Sequence, residues 1–503
     1  MQGGAGRLVE VQQIRSALKW TLLASAIAFM GHLSLAIAAE STAWSDAMTE
    51  ASKAFRESRY ADAERWLRTA ATEAEKFGPE DRRLTVSLTN LAALLYSRGK
   101  YVEAEQIYAR ALAAAEKTFG ADHLRVADSL NGLAQVYQMQ GKVEQAEPLL
   151  ERALAIREKA LGPDHPDVAI SLNNLGTVYE SQRKYEQAEG VYRRALVILE
   201  RVYGRYHLSV ADTLNNLGIV SSSEGKFAEA EALLKRALTI RRDSHGLSHV
   251  DVAASLDNLG ELYNSQGRYA EAEPLLKQAL AIQEKIRGPM HPQVAQTAGH
   301  LGTLYEAQGK ITEAERFFER ALEVWERALG SEHPAVANTL NNLGTLYNAE
   351  GEQPKADQYY RRALAILEKV YGPEHLNLAG TLSNLGLLKR TSPEEAEALL
   401  KRALAIREKA LGPQHLDVAM SLRNLGNFYA AQGRYADAEP LLARSLAIRE
   451  QALGSKAPQL VASLESYAAV LRKMSRESEA AGLEARAKLI RDAQPAPSTN
   501  QTR

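Results

Sequence analysis

Cysteine is absent from the 503-residue chain. Disulfides, thiolate-bound metal sites and cysteine nucleophiles are therefore excluded. Aromatic residues make up only 6% of the sequence, and neither sign of charge dominates, because 61 lysines and arginines stand against 62 aspartates and glutamates. This balance excludes a general basic surface for nucleic acid. The many Ala, Leu and Glu residues favour helix over sheet.

Catalytic motifs are also missing from the sequence. It contains no HExxH or GxSxG pattern and no Gly-rich strand-to-helix turn. The stretch GTLYEAQGK at 302–310 has six residues between its glycines, whereas a phosphate-binding loop has four. We therefore expect a protein that is not an enzyme and that needs no cofactor.

The first 38 residues differ from the rest of the chain. Arg7, Arg15 and Lys19 precede an apolar run over residues 21–39, which contains the small-residue pattern Ala-Ile-Ala at 36–38. A basic start, an apolar centre and a small-residue cleavage pattern are typical of an export signal peptide. We expect this segment to be removed and the mature protein to be exported, either periplasmic or secreted.

An alternative for the same segment is an uncleaved anchor in the inner membrane over residues 20–39. The apolar run is nearly long enough to span a bilayer. Gly31, His32 and Ser34 interrupt it, and this favours cleavage over anchoring. A membrane partner is expected only if the segment stays attached.

A 42-residue repeat organises the remainder of the chain. Eight of the 11 histidines fall in one column, with His415 following after 40 residues because that repeat is two residues shorter. A fixed period of this length indicates a solenoid of stacked supersecondary units. The column is His123, His165, His207, His249, His291, His333, His375 and His415.

Each repeat contains two amphipathic helices. Leu172, Leu175, Gly176 and Tyr179 follow the i, i+3, i+4, i+7 spacing of one helical stripe. A second stripe begins at Ala188 after a short turn. Neither helix can bury its stripe alone, so adjacent pairs must stack.

Five segments follow from this pattern. Residues 1–38 form the signal peptide, 83–458 the tandem repeats and 493–503 a disordered polar tail. Residues 40–82 and 459–492 match the repeat poorly, as the end caps of an array do. Counting outward through both caps predicts about 11 helix pairs.

The repeats resemble a known family. The pattern Leu172-x-x-Leu175-Gly176-x-x-Tyr179, followed by alanines at 188 and 195, resembles the tetratricopeptide repeat. The 42-residue period and the phrases LGPDHPDVA and NNLG are similar to repeats of the kinesin light chain type. The resemblance implies an all-α fold, a right-handed superhelical solenoid of antiparallel helix pairs. It also implies a protein or peptide partner in a concave groove lined by the first helices.

The histidine column could suggest metal binding, but the expected geometry opposes it. Packed helices lie ~8–10 Å apart, so equivalent positions two helices on are roughly 16–20 Å apart. Two imidazoles that share a zinc ion must each approach it to about 2.1 Å. We therefore predict no metal. Because Pro166 suits the first turn of a helix, His165 and its equivalents are expected to begin the first helices.

Two adjacent columns of polar residues lie in the first helices. The resemblance implies that the first column and the position four residues later face the groove, and we expect binding there. These candidate groove residues are Asn131, Asn173, Asn215, Asp257, Asn341, Thr177, Glu261 and Thr345. The second column is expected to be structural, with hydrogen bonds between helices; it comprises Asn174, Asn216, Asn258, Asn342, Asn384 and Asn424.

Both asparagine columns are interrupted at Gly299 and His300. Either the groove is wider or non-binding at that repeat, or the helices pack more loosely there. The residues around the middle of the groove are mildly acidic and include no cluster of Lys or Arg. We therefore expect the ligand to be a neutral or slightly basic segment.

The sequence thus predicts a non-catalytic scaffold or adaptor that binds an extended protein segment. Two alternatives remain open at this point. One is the same solenoid tethered to a membrane as an assembly factor of the cell envelope. The other is an array that associates with further copies of itself.

Overall fold

The computed structural model describes residues 42–57, 59–140, 142–388 and 392–492. The predicted signal peptide and the predicted tail lie outside these residues. The described part of the chain contains 22 α-helices, one short 3₁₀-helix and no strand. The chain divides into two compact units between Ser331 and Glu332.

Unit 1 contains seven helix pairs, and in each pair the two helices pack along each other. Its helices are α1 (Thr42–Arg56), α2 (Tyr60–Glu75), α3 (Arg82–Ser97), α4 (Tyr101–Phe119), α5 (Leu124–Met139), α6 (Val143–Leu161), α7 (Pro166–Ser181), α8 (Tyr185–Tyr203), α9 (Leu208–Ser223), α10 (Phe227–His245), α11 (Val250–Ser265), α12 (Tyr269–Arg287), α13 (Pro292–Ala307) and α14 (Ile311–Leu329).

Unit 2 contains four further pairs of the same kind, which brings the total to the 11 pairs predicted. Its helices are α15 (Pro334–Glu350), α16 (Gln353–Tyr371), α17 (Leu378–Gly386), α18 (Pro393–Leu411), α19 (Leu416–Ala431), α20 (Tyr435–Leu453), α21 (Val461–Lys473) and α22 (Glu477–Asp492). The segments expected to cap the array, 40–82 and 459–492, contain the pairs α1/α2 and α21/α22. Their capping role stays a prediction.

Seven of the eight column histidines cap the start of a first helix, as predicted, whereas α17 begins three residues after His375, at Leu378. In eight repeats the Nδ1 atom of the histidine accepts a hydrogen bond of 3.1–3.2 Å from the backbone N–H two residues later. Asp81 stands one repeat before His123 and accepts the same bond from Arg83. These side chains satisfy one of the backbone donors that a helix start leaves unpaired.

Several of these histidines also stack on the aromatic residue that ends the preceding helix. The rings of Tyr203 and His207 are 4.5 Å apart between centroids, and those of Phe119 and His123 are 4.7 Å apart. One side chain thus joins the end of a second helix to the start of the next pair. Ala457 occupies this column before the last pair and provides no side-chain cap.

We predict that His207→Ala lowers the free energy of unfolding by about 1 kcal/mol, the usual cost of losing a helix cap. His207→Asn should be nearly neutral, because the asparagine side chain can accept the same bond from Ser209 N–H. Urea unfolding followed by circular dichroism measures both variants. Equal losses in the two would instead assign the role of the histidine to its stacking on Tyr203.

Glycine ends most of the second helices, with an extended backbone at positive φ. Gly162 has φ 88° and ψ 157°, whereas a left-handed helical cap would have ψ near +45°. This extended region at positive φ is essentially restricted to glycine. Its N–H still donates to Glu158 O at 2.9 Å. The chain therefore leaves the helix at once and turns toward the next histidine.

Glycines inside the first helices allow close packing against the second helices. A Cβ atom added to Gly176 would lie 2.4 Å from Tyr192, and one added to Gly132 would lie 2.2 Å from Tyr108. Both tyrosines are fully buried. The Leu-Gly phrase of the repeat is thus explained by contact between the two helices of one pair.

The shortened repeat restarts its second helix with a serine cap and a first-turn proline. The Ser392 hydroxyl accepts a hydrogen bond of 3.2 Å from Glu395 N–H, and Pro393 is the first helical residue. Such a serine cap compensates for the shorter turn. Among the described residues, no helix is both long enough and apolar enough to cross a membrane.

Candidate functional site

The candidate site is one surface of unit 1, which we call the first-helix face. The first helices of successive pairs contact one another directly. Their separation is therefore smaller than the roughly 16–20 Å that the sequence led us to expect for alternate helices. Spacing of i, i+3, i+7 and i+10 places four side chains of each first helix on one side. The face consists of Asp128, Asn131, Gln135 and Gln138 of α5; Ile170, Asn173, Thr177 and Glu180 of α7; Asp212, Asn215, Ile219 and Ser222 of α9; Ala254, Asp257, Glu261 and Asn264 of α11; and Gln296, Gly299, Thr303 and Glu306 of α13.

The predicted groove residues of unit 1 all belong to this face, but most are buried within it. Asn131 and Asn215 are 8% and 5% exposed, Asp257 only 3%. Thr177 and Glu261 are buried as well, and Asn173 is half-buried. Neighbouring first helices therefore cover much of a column that the sequence suggested was open.

The two polar columns contact each other across successive pairs. Asn258 Nδ2 of the second column donates to Asn215 Oδ1 of the first column at 2.9 Å, in the preceding pair. Asn173 Nδ2 donates to Thr213 Oγ1 at 2.9 Å. Asn174 and Asn216 of the second column are buried. A first-column side chain can thus serve both the face and the packing between pairs.

Unit 2 has the same arrangement over fewer pairs. Asn384 Nδ2 lies 3.5 Å from Asn341 Oδ1, a longer contact than its counterpart in unit 1. Thr345 Oγ1 donates to Asn341 O at 3.0 Å and lies 3.0 Å from the Tyr360 hydroxyl. Asn342 and Asn424 are both 7% exposed and belong to the packed second column.

Several buried oxygens on the first-helix face have no hydrogen-bond partner within the described part of the chain. All of them are amide or carboxylate oxygens, which accept and cannot donate unless protonated. Buried polar atoms are nearly always paired in folded proteins, so a row of such acceptors indicates a surface that receives donors from outside. They are Asn131 Oδ1, Gln135 Oε1 and Gln138 Oε1 of α5, Asn173 Oδ1 of α7, and Asp257 Oδ1, Glu261 Oε2 and Asn264 Oδ1 of α11.

Buried arginines of the second helices bring positive charge to this face. Arg157 Nη2 is 2.9 Å from Asp128 Oδ1, and Arg241 Nη2 is 2.7 Å from Asp212 Oδ1. In the pair α11/α12 the equivalent position is Gln283, whose Oε1 accepts from Thr297 Oγ1 at 2.9 Å. Asp257 and Glu261 of α11 therefore have no arginine at the position that supplies one in the pairs α5/α6 and α9/α10.

The outer faces of the second helices differ in charge from the first-helix face. There, arginines of one second helix pair with glutamates of the previous one, as in Arg152–Glu116 at 2.7 Å and Arg194–Glu158 at 2.6 Å. These pairs are largely exposed, so each contributes little to stability. Both signs of charge are balanced on that surface, in contrast to the acidic first-helix face.

A buried ionic pair replaces the asparagine pair between α11 and α13. His300 Nδ1 lies 3.0 Å from Asp257 Oδ2, and these residues are 6% and 3% exposed. Burial opposes the imidazolium form, but the charges of Asp257 and Glu261 outweigh it and raise the pKa of His300 to about 9. The sequence showed only that the asparagines were interrupted here; the matching change 43 residues apart was the signal for a pair.

Two further acidic groups, Glu261 of α11 and Glu306 of α13, are held in a weakly polar environment. Burial raises the pKa of Glu261, Asp257 raises it further, and His300 opposes both effects. Burial also raises the pKa of Glu306 to about 7. Asn264 Nδ2 lies 3.4 Å from Thr303 Oγ1 and joins the two helices at the edge of the cluster. These carboxylates are therefore short of positive charge.

A different group, at the opposite end of α11, includes two histidines. Ligand atoms of His245, His249 and Asp251 all lie within 4.8 Å of one another. The two rings stack at 4.0 Å, and His249 Nδ1 accepts the capping bond from Asp251 N–H. Burial lowers the pKa of His249, the nearby Asp251 carboxylate opposes this effect, and the charges of His245, Arg287 and Arg241 lower the pKa further. Capping and stacking account for this group, so we assign no metal to it.

Comparison with known proteins places these observations in a family. A model of the tetratricopeptide repeat matches the chain at residues 51–117, 83–159, 126–201, 167–243, 209–285, 251–323, 293–369, 354–409 and 417–488. These matches confirm the predicted repeats. No curated protein matches the chain.

Several solved structures are similar to parts of this chain. BtubC (BKLC) from P. vanneervenii is 28% identical, with a TM-score of 0.38, over 49% of this chain and 94% of that one. The nearly identical repeats of a kinesin light chain-like protein from Podosopora anserina are 27% identical, with a TM-score of 0.34, over 41% and 97%. A Rap protein complexed with Competence and Sporulation Factor is 14% identical, with a TM-score of 0.53, over 73% and 98%.

Proposed function

Because the chain belongs to the tetratricopeptide repeat family, we propose that it is a non-catalytic scaffold whose first-helix face binds an extended segment of a partner protein. The observation that carries the proposal is the row of buried, unpaired acceptor oxygens on that face. An extended segment offers one backbone N–H per residue, apart from proline. Such donors complement the amide oxygens whatever side chains the segment carries.

The spacing of the acceptors suits an extended segment. Helices that pack together lie ~8–10 Å apart, and an extended chain advances roughly 3.3 Å per residue. One contact for about every three residues of the segment follows from these distances. Because neighbouring side chains cover the acceptors, binding is expected to reorient asparagine and glutamine amides on the face. The fold-level similarity to a Rap protein complexed with a factor is consistent with this use.

The proposal is tested by comparing adjacent columns. We predict that Asn131→Ala with Asn173→Ala lowers partner affinity by at least about tenfold, because both changes remove unpaired acceptors of the face. Asn174→Ala with Asn216→Ala, in the second column, is the matched control and should leave affinity nearly unchanged. A photo-crosslinking residue at Ser222, on the same face, first captures the bound segment in cells. Mass spectrometry then identifies it.

The affinity of each variant for the synthesised segment is measured by fluorescence anisotropy, with circular dichroism as the check on folding. Equal affinity of wild type and the first-column variant would overturn the proposal. Crosslinks that join two copies of the chain, with a size that rises with concentration, would replace it with the self-associating array. Retention of the captured segment by the wild type alone would support the scaffold.

We further propose that the scaffold is exported. The support is the basic start, the apolar run and the small-residue pattern of residues 1–38. The sequence of the mature N-terminus, read from protein purified out of the periplasm or the medium, tests this. A start near residue 39 supports export with cleavage, and an intact N-terminus in the membrane fraction supports the tethered alternative.

A further inference from the structure

The first-helix face changes its chemistry between α11 and α13. One repeat earlier, between α9 and α11, Asn258 Nδ2 donates to Asn215 Oδ1 at 2.9 Å. One repeat later the same two positions are Asp257 and His300, whose atoms lie 3.0 Å apart. The contact between successive pairs is kept, but neutral amides have been replaced by charged groups. Only this step of the described face carries a buried ionic pair in that place.

Acidic groups outnumber cationic groups at this step. Asp257 and Glu261 are 3% and 5% exposed, and His300 is the one buried cation beside them. Each carboxylate keeps one oxygen without a partner in the described part of the chain. Gln283 stands where Arg157 and Arg241 supply positive charge to other pairs. At this step, therefore, His300 faces two carboxyl groups without the arginine that α6 and α10 provide in their pairs.

The face also has room at this step. A Cβ atom added to Gly299 would meet no heavy atom within 4 Å, whereas one added to Gly302, a turn later, would lie 2.5 Å from Phe318. Gly299 is thus not required by packing between the helices. It leaves a hollow next to His300, where other repeats carry an asparagine.

We infer that the hollow over Gly299 receives a lysine or arginine side chain of the bound segment, which pairs with Asp257, Glu261 and Glu306. This inference rests on the proposed function and names the chemistry of the partner. Ammonium and guanidinium groups carry only donors, and they match carboxylate oxygens that lack partners. Rotation of Glu261 and Glu306 toward the hollow brings their charges to the ligand.

A divalent cation fits this cluster less well than a side chain does. Among the described residues, these carboxylates and His300 do not form a group whose ligand atoms all lie within 4.8 Å. Asp257 Oδ2 is already engaged by the imidazole. A long, flexible cationic side chain can reach separated carboxylates one at a time, whereas a metal ion needs them to converge.

The test uses the full chain and pools of short fluorescent peptides. In each pool one position is fixed as lysine, arginine, norleucine or citrulline, so that charge is removed while the length of the side chain is kept. We expect wild type to bind the lysine and arginine pools at least about tenfold more tightly than their neutral counterparts, because charge-assisted hydrogen bonds are the strong ones.

Three variants localise the effect. Glu261→Gln with Glu306→Gln should abolish the preference for charge, as should Gly299→Gln, which fills the hollow. Glu313→Gln with Glu319→Gln makes the same charge change on the exposed second helix α14 and should keep the preference. We expect the first variant to fold, because glutamine is neutral and both carboxylates lie in surroundings that disfavour their charged form.

The outcomes separate the inference from the function beneath it. If no pool binds the wild type, the proposed function is wrong and the inference falls with it. If neutral and charged pools bind equally, the function stands and the inference is overturned. A preference that survives in Glu261→Gln with Glu306→Gln also overturns it. Calorimetry with calcium or zinc chloride adds a final check. If the metal binds and the peptides show no preference for charge, the cluster is a metal site and the inference is overturned.

Discussion

Asp257→Asn is expected to destabilise the region around α11 and α13 by about 2 kcal/mol at neutral pH. The variant removes the main countercharge of His300, which is buried. A rise in the pKa of His300 from 6.5 to about 9 corresponds to about 3 kcal/mol of preference for the imidazolium form in the folded state. Part of that preference comes from Glu261, which the substitution leaves in place.

The Asp257–His300 pair also gives the stability of the protein a specific dependence on pH. Because the folded-state pKa of His300 lies above its unfolded value, the stabilisation is fully present below pH 6.5. It is lost as the pH rises through about 9. The loss of stability over this range should be smaller in Asp257→Asn. It should disappear in the double variant with His300→Asn.

The double variant is the control for the stability loss as well. It recreates the amide pair that Asn215 and Asn258 form one repeat earlier, so most of the stability lost in Asp257→Asn should return. Native-state hydrogen exchange of amides in α11 and α13 measures the local effect, because stability in a repeat array is partly local. A double variant no more stable than Asp257→Asn would contradict the interpretation that an amide pair can replace the ionic pair at these two positions.

Gly302→Ala and Gly299→Ala are expected to change stability in opposite directions, although the two glycines lie in one helix. A methyl group at residue 302 would sit 2.5 Å from the buried ring of Phe318. Overpacking of this kind costs about 1–3 kcal/mol. A methyl group at residue 299 meets nothing within 4 Å, so the higher helix propensity of alanine should stabilise the protein by up to about 1 kcal/mol.

Thermal unfolding followed by circular dichroism compares the two variants under one condition. The shared helix makes propensity and solvent conditions the same, so the difference reports only the contact with the second helix. If both alanines stabilise the chain, the close approach of α13 and α14 is not the reason for Gly302. If both destabilise it, the hollow at Gly299 is not open. The cationic side chain inferred above would then have no space beside Gly299.

Local features could be predicted well from the sequence because they depend on neighbours along the chain. The helix-capping role of His165 follows from its place before Pro166, and the Nδ1 contact with Asp167 N–H bears it out. The restart of a helix at Ser392 and Pro393 follows from a cap and a first-turn proline. In both cases the interacting groups lie within three residues of each other.

The candidate site was harder to predict because its contacts join residues about 40 positions apart. Helical periodicity places Asn215 on one side of its helix, but it does not reveal that Asn258 of the next pair covers it. The division into a binding column and a structural column is therefore less sharp than the pattern suggested. Which of the columns contacts a ligand stays a prediction.

The sequence by itself determined the repeat, the number of helix pairs, the residues that begin the helices and the family. Each of these depends on periodicity or on bonds between residues close together in the sequence, so each can be recognised from the sequence alone. Only the tertiary structure decided that Asp257 pairs with His300, that burial raises the pKa of Glu261 and Glu306, and that the space beside Gly299 is open. Burial and partner geometry set those properties, because desolvation and Coulomb energy depend on atoms that folding brings together from successive repeats.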